Sequence, residues 1–83
     1  MSVIRLLGSQ GNLATASNVG RAKLVRVLNN HSAVQLVTQK NAGGTTIATI
    51  TLGIGESAMI AKASDDTLAG AATTLAVSIA YAN

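Results

Sequence analysis

Apolar and polar residues alternate along most of the chain from Ala22 to Tyr81. The clearest stretch runs over residues 74–81. It puts Leu75, Val77, Ile79 and Tyr81 on one side and Thr74, Ala76, Ser78 and Ala80 on the other. A period of two marks a half-buried β-strand, and the larger set is expected to face the core. Residues 45–52 repeat the pattern with β-branched side chains, which favour strands. Ala48, Ile50 and Leu52 share one face there, and Ile47, Thr49 and Thr51 the other. The same reading predicts strands over 3–7, 22–28, 33–39, 56–62 and 73–81. Residues 29–32 and 53–55 are turn clusters, and 40–44 form a glycine-bearing hairpin connection. In 63–72, Ser64, Asp65 and Asp66 are placed to cap a helical turn over 67–70. Residues 8–20 are small, polar and glycine-rich, and read as a long loop or arm. Loops of that length in small domains are often functional.

Six closely spaced strands with glycine turns predict an all-β fold, a small antiparallel β-sandwich or barrel. The expected core is Ile50, Leu52, Ile60, Leu75, Val77 and Ile79. The 83 residues form one domain, 1–83, with 8–20 as its loop or arm. A domain of this size buries only roughly 60% of its unfolded surface and is marginal on its own. Small domains compensate with disulfides, metals, large aromatics or partners. This chain has no Cys, Trp or Phe, one Tyr and one His. Oligomerisation is the remaining support, and the edges of the sheet lack the Pro and charges that discourage strand addition.

No group of residues points to catalysis, so the chain is expected not to be an enzyme and to have no catalytic, cofactor-binding or metal residues. Gly53-x-Gly55-x-x-Ala58 matches a dinucleotide fingerprint by letter. It precedes a strand rather than a helix, and reads as a tight turn. Asp65 and Asp66, with Glu56, offer too few oxygens for a calcium site. His31 has no identifiable nucleophile or acid beside it. Asn30-His31-Ser32 is a sequon by pattern only. The apolar run at 3–7 is broken by Arg5 and is too short for a signal peptide, and 68–82 falls short of a membrane span.

The net charge is +3 and unevenly spread. Arg5, Arg21, Lys23, Arg26 and Lys40 precede every acidic residue; Glu56, Asp65 and Asp66 accompany only Lys62 in the second half. Without aromatic stacking residues, nucleic acid is not an expected partner. A basic patch meeting an acidic one between subunits fits better. The candidate contact residues are Arg5, Arg21 and Lys23 for charge, and Val37, Ile47 and Met59 as apolar residues opposite the expected core faces. The 8–20 segment is expected to be ordered by a partner and to help place the basic residues.

The run Val3-Ile4-Arg5-Leu6-Leu7-Gly8, then residues 22–29, 44–52, 55–62, 66–69 and 77–83, resemble in style the small virion structural proteins of tailed phages, especially those of marine cyanobacterial and pelagic phages. The resemblance implies a β-sandwich subunit present in many copies on a capsid or tail. The function expected on that basis is capsid decoration (cement), a non-enzymatic role in the virion after assembly in the host cytoplasm. Its partners would be other copies of itself and the major capsid protein or another virion protein, with no membrane. A tail, neck or fibre-attachment component is an alternative, and a ligand- or glycan-binding module another.

Overall fold

The computed structural model describes residues 3–82. Its strands are β1 (Ile4–Leu6), β2 (Gly11–Asn12), β3 (Leu24–Asn29), β4 (Gln35–Lys40), β5 (Thr46–Leu52), β6 (Ser57–Ala61), β7 (Thr67–Ala69) and β8 (Thr74–Tyr81). All six expected strands are present and the fold is all-β. Two short strands were not legible. One is β2, inside the expected loop. The other is β7, which replaces the expected helical turn over 67–70.

The strands form two antiparallel sheets. In the larger, β8 and β6 flank β3, and both β1 and β2 pair along the free side of β8. In the smaller, β4 lies between β5 and β7. The hairpin between β4 and β5 closes as its glycines suggest. Asn41 Oδ1 accepts from Gly43 N and Thr45 N, and Gly44 has φ +86°. A bulge at the Thr46 end of β5 leaves Ala48–Leu52 in regular register with Gln35–Gln39.

The core lies between the sheets. Val25, Val27 and Ala76 line it from the larger sheet, with Ala58 and Ile60 packed against them. Val37, Leu52 and Leu68 line it from the smaller sheet. Leu13 and Ala22 complete it, with Val19 against them.

Two expectations about faces are corrected. The core-facing side of β8 carries Thr74 and Ala76, the smaller set. Small side chains there let the segment around Leu13 lie across the sheet. Val77 and Ile79 are buried, but on the outer face, where their register partners include Arg26 and Leu6. Leu75 is only half-buried and Tyr81 is exposed. Ile50 is also exposed, because β5 is a sheet edge and the core lies beneath Val37 and Leu52.

The 8–20 segment is held by its own chain. Leu13 N donates to Thr74 O at 2.9 Å, and Gly70 N donates to Leu13 O at 2.8 Å. Ser17 and Leu68 exchange two backbone hydrogen bonds. The segment is therefore fixed by β7 and β8 with no partner present, contrary to the expected partner-ordered arm. Its far end holds three consecutive residues at positive φ: Val19 (54°), Gly20 (66°) and Arg21 (60°). For β-branched Val19 this conformation is costly, on the order of 1–3 kcal/mol. Packing of Val19 and burial of Ala22 hold it in place.

Gly70 is needed for close approach. A Cβ there would lie 2.9 Å from Thr74 Oγ1 and 3.0 Å from Thr74 Cβ. Thr74 cannot move aside, since it is fully buried and its Oγ1 accepts from Ala71 N. Gly70→Ala is expected to lose about 1–3 kcal/mol through this overlap. Urea unfolding of the variant checks it; an unchanged midpoint would mean that β7 and β8 can separate freely.

Candidate contact surfaces

Among the described residues, more large hydrophobic side chains stand exposed than are buried, two of the buried apolar residues being alanines. They fall into distinct places. Val34 and Leu36 lie at and beside the outer face of the smaller sheet, where Thr38, Thr49 and Thr51 share the surface through the β4–β5 register. Leu6 and Tyr81 lie on the outer face of the larger sheet, at the paired ends of β1 and β8. Ile54 sits exposed on the turn from β5 to β6.

A further place is the seam where β5 leaves one sheet and β6 joins the other. An open apolar cleft of about 250 Å³ lies there. Val37 and Leu68 form its floor, and Ala48, Ile50, Met59 and Ile60 are among its walls. Its two rims are sheet edges. The other edges are short or covered: β1 has three residues, β2 has two, and β7 carries a bridge to Ser17. Among the described residues, the seam is thus where the longer strands present an edge that no other strand pairs with.

The expected contact residues are not brought together. Met59 borders the cleft and Ile47 is exposed at the start of β5, so both are available. Val37 is not. It is fully buried in the core, because β4 turns its Val37 side inward and its Leu36 side outward. Leu36 is exposed in its place, and so is Ile50, which was expected in the core. Arg5 and Lys23 are exposed. Arg21 is paired within the chain, its Nη2 lying 3.2 Å from Asp65 Oδ1 with both side chains mostly solvated. Such a pair contributes only about 0–1 kcal/mol.

Lys62, read as an ordinary charge, is buried. Its Nζ donates to Ala22 O at 2.6 Å, Ala63 O at 3.2 Å and Ser64 O at 3.4 Å. The ammonium ties the end of the left-handed 19–21 run to the turn after β6. Burial pushes its pKa below the ordinary 10.5, and the nearby Asp66 and Asp65 oppose that shift. Lys62→Met is expected to cost about 1–3 kcal/mol, from carbonyls that lose a donor. The pH dependence has a definite sign. Between the lowered native pKa and 10.5 the unfolded chain binds more protons than the fold. Native stability, measured against the Lys62→Met variant, therefore rises with pH across that window. Below it both states are protonated and the full desolvation cost remains. Urea titrations of both proteins from neutral pH to 10.5 check this; a constant difference would refute it.

Among the described residues no group of three or more His, Cys, Asp or Glu is placed to hold a metal ion. His31 is exposed on the turn after β3. Gly53 and Gly55 form a turn into β6, with Gly55 at φ +74° and Glu56 Oε1 accepting from Gly53 N. No known family model matches the chain, and no curated protein or solved structure matches it either.

Proposed function

We propose that this chain is a non-enzymatic structural subunit of a tailed-phage virion, acting as a capsid decoration protein. The observation that carries the assembly part of this reading is the surplus of exposed apolar side chains on a small β framework with few charged residues. Soluble monomers seldom expose large contiguous apolar patches unless they serve contact. The virion part rests on the resemblance of the sequence to small phage structural proteins.

In this reading the fold supplies surface rather than chemistry. Leu36 and Val34 on one outer face, and Leu6 and Tyr81 on the other, give two apolar faces on opposite sides of the core. One face docks on the shell and the other remains for neighbours. Burial at about 25 cal/mol per Å² stabilises each contact, and many copies add avidity. Arg5 and Lys23 tune docking through their charge.

The test is the position of the protein in images of intact particles, together with its copy number. Hundreds of copies spread over the head support decoration. A few to some dozens at the tail or neck would move the protein to the alternative role there. Its absence from purified particles would refute the virion reading, and a glycan-binding screen would then test the module reading.

A further inference from the structure

We propose that two copies of this chain pair edge to edge through β5, antiparallel and about a two-fold axis at Ile50, so that the smaller sheets join into one six-stranded sheet. The proposal deepens the assembly reading above by adding a sheet edge, apart from the two outer faces, through which copies pair. It does not depend on a virion.

One side of β5 is bonded to β4, and the other is a free edge beside the cleft. An edge strand presents alternating donors and acceptors that another strand satisfies. Proteins guard such edges with charge, proline or brevity, and β5 has none of these: Thr-Ile-Ala-Thr-Ile-Thr-Leu. Its one irregularity is the bulge at the Thr46 end, which leaves Ala48–Leu52 regular.

The occupant follows from self-complementarity. A two-fold axis at Ile50 pairs the whole regular stretch with itself. Ala48 then lies opposite Leu52 of the second copy, Thr49 opposite Thr51, and Ile50 opposite Ile50. A small residue meets a large one, two threonines meet, and the two exposed isoleucines cover each other at the mouths of the two clefts. Cross-strand pairs of these kinds are favourable, whereas like charges placed opposite one another are not. An uncharged strand can meet its own copy without that penalty.

Charge at the ends points the same way. Lys40 is the register partner of Thr46 at one end of β5, and Glu56 follows the other end on the turn into β6. Antiparallel pairing brings the Lys40 end of each copy beside the Glu56 end of the other. Lys40 stands on β4, one strand in from the pairing edge, so the opposite signs lie on neighbouring strands at both ends without forming a direct pair. Ile54, exposed on that same turn, comes beside the partner's Thr46 end.

The chain has no cysteine, so single cysteines report the geometry cleanly. Paired strand residues have Cα separations of about 4.5–5.5 Å, within disulfide range. Ile50→Cys is expected to oxidise to a covalent dimer, while Leu36→Cys, on the outer face of the same sheet, is not. Sedimentation across a concentration series is expected to show a dimer for the parent. Ile50→Lys, which sets two charges against each other on the axis, should weaken it by about 100-fold, equivalent to about 2.7 kcal/mol. Circular dichroism checks that this variant folds; if it does not, the cysteine pair decides. A parent that stays monomeric at millimolar concentration, or cross-linking at Leu36 but not Ile50, overturns the proposal. A monomer that still coats particles would overturn strand pairing and leave the virion reading standing. A β5-linked dimer absent from particles would do the reverse.

Discussion

Asn29→Ala is expected to destabilise the domain by about 3–5 kcal/mol, through several hydrogen bonds lost at one buried point. Asn29 is fully buried at the end of β3. Its Nδ2 donates to Ala33 O at 2.9 Å, Gly53 O at 3.0 Å and Leu52 O at 3.1 Å. The amide has two hydrogens, so one is shared between carbonyls. Its Oδ1 accepts from His31 N at 2.9 Å. These partners belong to the start of the chain entering β4, the end of β5, and the turn into β6. One side chain thus fastens the larger sheet to the smaller where the chain passes between them. Alanine leaves those carbonyls without their donor and opens a void.

That loss is large against a total stability of about 4–12 kcal/mol for a domain of this length. The measurement is equilibrium urea unfolding, with Asn30→Ala as comparator. Asn30 is exposed on the same turn, and its change should stay within about 0.5 kcal/mol. A cost below about 1 kcal/mol for Asn29→Ala would mean that water replaces the amide, and that the sheets are held by apolar contact alone.

Asn29 also shows where the sequence stops being informative. It sits in an Asn-Asn-His-Ser cluster, which reads correctly as a turn. Nothing local distinguishes the buried asparagine from its exposed neighbour. The difference lies in carbonyls more than twenty residues away. Lys62 is similar, since its principal acceptor is Ala22 O, forty residues earlier. The strands themselves were legible because alternation is local. Which face turns inward was not always legible. In β8 the larger residues face out, because the Leu13 segment takes the space that they would fill. In β4 the apolar residues fall on both faces, Leu36 and Val37 being adjacent, and only the packing of β7 and β3 decides between them. The strand β7 has one large apolar residue, Leu68, too little for a periodic signal. Of the residues expected at contacts, Met59 and Ile47 are exposed, as their alternation suggested, and Val37 is not. Ile50 was assigned to the core because an edge position cannot be read from a single strand.

Leu13→Ala is expected to cost about 2–5 kcal/mol, the range for a fully buried leucine whose cavity cannot collapse completely. By composition, the segment carrying Leu13 is a flexible loop, with Gly8, Gly11 and Gly20 and mostly small polar residues between them. A partner-ordered arm would make Leu13 irrelevant to the stability of the isolated chain. The structure gives it a different role. Leu13 is 1% exposed and packs in the same cluster as Val25, Val27 and Leu68. Backbone bonds to Thr74 O and from Gly70 N hold it from both sides. Residues 8–20 therefore act as a strap across the sandwich, with Leu13 as a large anchor in a core cluster that contains no aromatic side chain. Thr15→Ala, exposed on the same segment, should change stability by no more than about 0.5 kcal/mol. Hydrogen exchange adds a second readout. The amides of Leu13 and Ser17 should be protected in the isolated parent protein and lose protection together in Leu13→Ala. If that substitution costs under about 1 kcal/mol while both amides exchange freely in the parent, the strap is open in solution, and the segment is an arm waiting for a partner after all.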